Sequence, residues 1–242
     1  MPRMTGWLAD GMPTVRVGLL ACLLLTILPV AISGQSIRLM AGQESSPQPD
    51  VRQVARAVDE HYNHLRSLQA DFMEIFRGSG MNREESGTLW LKKPRKMRWE
   101  YRSPKEKLFV SDGQAVWFYL PAERQVRRTE LKKLDDLRSP LAFLLGKTKL
   151  ESELQGLSWA PDHAPLAAGN TVLRGVPRAM ADQISDVELE INPAHQIVRI
   201  AMTEVDGGTT EFRFSGVKEN VELGEERFRF VPPAGVETVE GQ

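Results

Sequence analysis

Two histidines three residues apart, His61 and His64, lie beside Asp59 and Glu60. Imidazole and carboxylate groups at that spacing are the beginning of a metal site. A zinc ion needs about four ligands, however, and His163 and His195 are far off in sequence. Solvated helix positions are the better reading. Gly78-Ser79-Gly80 is not a nucleophile elbow, which needs Gly-x-Ser-x-Gly. No phosphate-cradling loop or dinucleotide fingerprint occurs. The one cysteine, Cys22, sits in an N-terminal apolar run, and no carboxylate pair is singled out by spacing. These residues point away from an enzyme, and they call for neither metal nor cofactor.

A basic run, Lys92, Lys93, Arg95, Lys96, Arg98, Arg102, Lys105 and Lys107, is interleaved with Trp90, Trp99 and Tyr101. In an intracellular β-protein that pattern could track single-stranded nucleic acid. An export signal argues against it. Arg3 and Arg16 flank or precede an apolar run from Val17 to Ile32, and Ala31 and Ser33 supply the small residues of a cleavage site. The run falls short of the roughly 20 residues of a spanning helix. Residues 1–33 are thus expected to be a signal peptide, 34–49 a flexible lead-in rich in Gln, Ser, Pro and Gly, and 50–242 a single domain. The exported chain would have no cysteine and be held by packing alone. A formal net charge of −1 gives no global basic excess. The basic run is then a solvated strand face, or a docking surface for an acidic partner or anionic headgroups.

The elements that hold these residues are legible from their periods. Asp50 is a helix N-cap, and Val51, Val54, Ala55, Val58, Tyr62 and Leu65 follow at helical spacing on one stripe. Leu68–Arg77 alternates as a first strand, and Gly78-Ser79-Gly80 turns the chain. Thr88–Lys92 places Leu89 and Leu91 on one parity and Trp90 on the other. Met97, Trp99 and Tyr101 share one face of the next strand. Asp112-Gly113 reads as a two-residue hairpin turn into Ala115–Leu120, which is apolar on both parities and so needs a cover on each face. Val126–Thr129 is a polar strand near an edge. The period then becomes helical, with Leu131, Leu134, Leu137, Leu141, Leu144 and Leu145, restarted at Ser139-Pro140 and stopped by Gly146. Strands return over 157–161, 171–174, 186–192, 196–205, 209–217 and 228–230. Val187, Leu189 and Ile191 alternate with Glu188 and Glu190, which predicts one wet face there. The pattern is mainly β: one antiparallel sheet, curled around an interior, with a helical lid.

The run Gly87-x-Leu89-Trp90-x-Lys92-Lys93-Pro94, then Trp99, Pro104 and Val110-Ser111-Asp112-Gly113-x-x-x-Trp117-Phe118-Tyr119, closely resembles the periplasmic outer-membrane lipoprotein carrier family, LolA. A weaker likeness runs from the helix near Val51 to Phe228-x-Phe230-x-Pro232-Pro233-x-Gly235-Val236. The resemblance implies an incomplete, half-open β-barrel covered by helices, with an apolar cavity for lipoprotein acyl chains. It implies a monomeric periplasmic carrier that receives lipoproteins from an ATP-driven, ABC-type inner-membrane extractor. It would deliver them to an outer-membrane acceptor without making or breaking a bond and without touching nucleic acid. Trp90, Met97, Trp99, Tyr101, Trp117 and Phe118 are the cavity candidates; Val51, Val54, Leu141, Leu144 and Leu145 are the lid candidates. The family usually has arginine before the first proline, where the resemblance implies a latch to lid carbonyls; here that residue is Lys93. The alternative is a lipid- or lipoprotein-sensing regulatory domain on a related half-barrel.

Overall fold

The computed structural model describes residues 50–131, 144 and 149–240, all within the compact unit Ser46–Gln242. The segments expected as signal peptide and lead-in lie outside the described residues, as do Leu141, Leu145 and most of the leucine-rich helical insertion. Among the described residues no helix is long and apolar enough to cross a membrane.

Helix α1 (Val51–His64) opens the chain. The Asp50 side chain accepts from the Arg52 amide at 3.1 Å, capping a helix whose buried stripe is Ala55, Val58 and Tyr62. Six strands follow: β1 (Ser67–Gly78), β2 (Met81–Lys92), β3 (Lys96–Ser103), β4 (Lys107–Asp112), β5 (Ala115–Leu120) and β6 (Gln125–Glu130). After the one-turn helix α2 (Leu150–Glu153) come β7 (Leu154–Trp159), β8 (Thr171–Pro177), β9 (Ile184–Ile191), β10 (Ile197–Glu204), β11 (Thr209–Glu219) and β12 (Glu237–Glu240). They form one sheet in the order β12-β6-β5-β4-β3-β2-β1-β11-β10-β9-β8-β7. Every pairing is antiparallel except β12 with β6. The end strands β12 and β7 are not paired to each other, so the barrel stays open. Its curl is visible in one contact. Trp99 on β3 and Phe212 on β11 are three strands apart, about 14 Å in a flat sheet. Their ring centroids lie 5.8 Å apart across the interior.

Several sequence expectations shift. β2 begins at Met81, not Thr88, because the polar run Met81–Ser86 pairs with β1 all the way to the turn. That turn has Ser79 and Gly80 at φ 51° and 74°, the left-handed pair a tight hairpin requires. In the β4–β5 hairpin the central residues are Gly113 and Gln114; Asp112 sits before them, its carboxylate accepting from the Gln114 and Ala115 amides. Residues 228–230 are no strand. Phe228 ends a 3-10 turn and is buried under Trp90 on the outer face of the sheet.

The expected wet face of β9 is also overturned. Glu190 is 0% exposed and Glu188 is 6% exposed. The loop after β7 folds over them: the Leu166 amide and the Asn170 side chain each donate to Glu190 Oε1 at 2.7 Å, and His163 Nδ1 lies 2.5 Å from Glu188. Arg199 on β10 donates Nε–H to Glu190 Oε2 at 2.9 Å and reaches Glu188 at 3.6 Å. Burial raises the Glu188 carboxyl above its ordinary value, against the pull of His163 and Arg199. The charges close the outside of β8–β10, while Leu173, Leu189 and Ile200 pack on the inside.

Gly87 marks the tightest backbone approach. A Cβ there would overlap the Glu100 carbonyl oxygen and lie 2.9 Å from Tyr101 Cα, where the β2–β3 register shifts. Backbone cannot swing away as a side-chain tip can. Gly87→Ala is expected to destabilise by about 2–3 kcal/mol, read as a drop in Tm of about 5–10 °C. An unchanged Tm would mean the two strands can separate freely at this point.

Candidate functional site

The inner face of the sheet is read row by row from its register. Leu68, Leu91, Met97, Ser111 and Val116 are cross-strand partners. The next row is Ala70, Leu89, Trp99, Phe109 and Phe118. The row beyond holds Phe72, Gly87, Tyr101 and Lys107. Because Gly87 has no side chain, the Phe72 and Tyr101 rings meet edge to face across it, with centroids 4.8 Å apart. Phe72 makes the same contact with Trp99, also at 4.8 Å. Helix α1 lies over the first rows, its Ala55, Val58 and Tyr62 joined to Leu68, Leu89 and Leu91 in one core; Val51 and Val54 are half-buried against it.

Four of the six cavity candidates, Met97, Trp99, Tyr101 and Phe118, share this inner face. Trp90 and Trp117 do not, and this corrects the grouping of all six in one cavity. Trp90 pairs with Arg98 and Trp117 with Val110, which puts both on the outer face. There the C-terminal segment covers them: Leu223 and Phe228 pack on Trp90, and Phe230 lies 6.4 Å from Trp117 and 5.6 Å from Tyr119. The Arg227 guanidinium sits 4.6 Å over the Trp90 ring.

Sequence reasoning missed the rest of the inner face. Phe212 and Phe214 on β11 and Phe72 on β1 complete an aromatic belt with Trp99. Their alternation within each strand was the available signal. Beyond the belt the face turns polar. The Tyr101 hydroxyl donates to Glu74 at 2.8 Å, Lys107 pairs with Glu85, and Arg83 stands 3.5 Å from Glu85. The interior thus runs from an apolar end under α1 to a charged end, with the aromatic belt between.

At the apolar end one cation ties helix to sheet. Lys93, in the β2–β3 connection, donates to the carbonyls of Tyr62 at 2.6 Å and Asn63 at 3.1 Å, the last turn of α1. Free carbonyls and a partial negative charge are what a helix C-terminus offers a cation. Burial lowers the Lys93 ammonium below the ordinary lysine value. Leu144 is 4% exposed and closes the recess beside it, a space of about 10 Å³ lined also by Leu65, Leu68 and Leu91. The helix is pinned a second time by the Ile197 amide, which donates to the Tyr62 hydroxyl at 2.9 Å. The paired histidines are engaged separately: His61 Nε2 lies 2.9 Å from Glu219, and His64 Nδ1 lies 2.7 Å from the Glu60 carbonyl.

Asp59 makes the third attachment, accepting from the Leu150 amide at 3.0 Å and so holding α2 against α1. Burial pushes its carboxyl up to about 6, with the Leu150 bond opposing and Glu151 adding to the rise. The folded state therefore binds this proton more tightly than the unfolded chain does. Stability should rise as pH falls from about 6 toward 4, and the ionised group works against folding above that window. Asp59→Asn keeps an acceptor and cannot ionise. Its Tm should exceed wild type at pH 7, and the gap should narrow below about pH 6 and close only as pH falls below about 4, the ordinary carboxylate range. A pH-independent gap would assign the effect to something other than ionisation.

The profile of the family described as outer membrane lipoprotein carrier protein LolA matches residues 63–231. An outer-membrane lipoprotein carrier protein of Chromobacterium violaceum is 30% identical over 177 residues, covering 73% of this chain and 82% of its own. One of Dechloromonas aromatica is 30% identical over 190 residues, covering 76% and 88%. An uncharacterized conserved protein of Thermus thermophilus superposes over 80% of this chain and 100% of its own, with a TM-score of 0.52 at 16% identity, a likeness of fold.

Proposed function

The chain belongs to the outer membrane lipoprotein carrier protein family LolA, and on that premise we propose that it is a periplasmic carrier that shields the acyl chains of lipoproteins between two membranes. Cargo arrives from an ABC-type extractor in the inner membrane and leaves to an acceptor at the outer membrane. No covalent step is involved. The observation that carries the reading is the apolar inner face, roofed by α1 and tethered to it through Lys93. Each methylene exposed to water costs about 0.8 kcal/mol, so a chain of ~14 carbons is worth on the order of 10 kcal/mol. A carrier has to supply most of that and still release. A roof whose closed contacts are exchanged for cargo contacts does both.

The test uses the exported protein from its native envelope. Mass spectrometry should find lipoproteins bound to it, and N-terminal sequencing should find a start near Gly34. Acyl-free protein partners alone, or an intact Met1, would sink the carrier reading.

Lys93 is the latch in this scheme. A lysine offers three donors on a flexible stem, where arginine offers five on a rigid fork. The closed, empty state is then held less firmly than arginine would hold it, and cargo is retained more tightly. Lys93→Arg should weaken retention and speed hand-off by about threefold to tenfold, and Lys93→Leu should do the reverse. Equal capture and release by all three proteins would remove Lys93 from the mechanism.

A further inference from the structure

The inner face holds one buried polar atom that nothing among the described residues satisfies. Trp99 is 2% exposed, and its indole Nε1–H has no hydrogen-bond partner among the described residues. A buried donor left unmade is costly, so native proteins seldom keep one without a use. Water is a poor answer here, because a buried water needs two to four polar partners. The surroundings are Phe72 and Phe212 edge to face, with Leu89 and Phe109 as cross-strand neighbours. Aromatic faces are weak acceptors by comparison with a carbonyl.

The position of the donor is as informative as its isolation. Met97, one pleat toward α1, begins the apolar end. Tyr101, one pleat the other way and about 7 Å along the strand, begins the charged end with Glu74, Glu85 and Lys107. Trp99 therefore stands at the boundary between hydrocarbon-like and polar surroundings. A lipid lying along this face with its chains under α1 has its acyl carbonyls at that boundary.

We propose that the Trp99 indole N–H donates to an acyl carbonyl of the bound lipid. The site thereby selects esters and amides of fatty acids over plain alkyl chains and orients them, chains toward α1 and polar end toward Glu74 and Lys107. The proposal rests on the reading that lipid occupies the inner face, and it adds a chemical preference to that reading.

A matched pair of lipids tests it: dipalmitoylglycerol, with two ester carbonyls, and dihexadecylglycerol, its ether counterpart without them. Each is titrated against a fluorescent fatty-acid probe bound to the full exported chain. Wild type should prefer the ester by about fivefold to tenfold. In Trp99→Phe, which keeps an aromatic ring and loses the donor, the ester-to-ether ratio should fall to about one. The same ratio in both proteins overturns the proposal, whatever the absolute affinities do. If neither lipid binds wild type, the lipid reading itself fails and the donor proposal with it. A second measurement stands clear of any folding defect in the variant: in ¹⁵N-labelled wild type, the Trp99 indole N–H resonance should move downfield with the ester lipid and not with the ether. Equal movement with both would overturn the donor role.

Discussion

Replacing Arg199 with methionine should lower stability by about 3–5 kcal/mol, among the largest effects available to a single substitution in this protein. Glu190 is 0% exposed, and its Oε2 receives the Arg199 Nε–H at 2.9 Å. Removing the guanidinium leaves a buried carboxylate with two neutral donors, Leu166 N–H and the Asn170 amide, and, among the described residues, no opposite charge within hydrogen-bond reach. Glu188, 6% exposed, loses the Arg199 charge and keeps His163 and its cross-strand partner Arg174. The double variant Glu190→Gln with Arg199→Met should recover much of the loss. The glutamine carbonyl can still accept from Leu166 and Asn170, and the unpaired charge is gone. A double-mutant cycle read by urea unfolding measures this coupling. Additive losses would mean that the pair is solvated in practice. Capture of acyl ligand by the folded fraction should stay at the wild-type level, because Arg199 lies on the face opposite Ile200 and the apolar interior.

That buried pair also marks where sequence reading stops. Val187, Leu189 and Ile191 alternate with Glu188 and Glu190, and alternation ordinarily means that the charged side is wet. The inner face of β9 follows from it correctly. The outer face does not, because the cover comes from the loop holding His163, Leu166 and Asn170, and nothing in a loop's composition says what it folds over. The aromatics repeat the lesson. Met97, Trp99 and Tyr101 share a face by simple parity within β3, which any register preserves. Assigning Trp90 and Trp117 to that face needs the register across β2–β3 and β4–β5, which sets them opposite Arg98 and Val110. The both-sided apolarity of Ala115–Leu120 did signal two covers. They are the interior against Phe118 and the C-terminal Phe230 against Trp117 and Tyr119. The charged end of the interior was illegible, because Met81–Ser86 has no apolar alternation and becomes a strand only by pairing with β1. Family resemblance singled out position 93, and the structure shows Lys93 donating to the Tyr62 and Asn63 carbonyls.

Leu144→Asp should do the opposite of Arg199→Met: raise the dissociation constant for acyl ligand by about a hundredfold, close to 3 kcal/mol, with a smaller loss of stability. Leu144 is 4% exposed, yet its neighbours are those of a rim. Leu65, Leu68, Leu91 and Lys93 line the small recess it closes, at the edge of the core under α1. Losing a buried leucine side chain costs about 1.5–3 kcal/mol on its own. The new carboxylate, however, stands beside the Lys93 ammonium, which can pair with it and offset part of that cost. The effect on cargo has no such relief. A charge placed on the proposed acyl path under the roof must either be stripped of water or block the passage. Pairing with Asp at this site also draws Lys93 from the Tyr62 and Asn63 carbonyls, so the roof loosens as the interior becomes hostile to hydrocarbon. A looser roof alone would tighten retention, as expected for Lys93→Leu, so weaker binding in Leu144→Asp isolates the second effect. The decisive comparison is ligand capture against Tm for the same preparation, with Leu144→Met as a volume-matched apolar control. Capture falling together with Tm would make Leu144 an ordinary core residue, and unchanged capture would place the lipid path elsewhere.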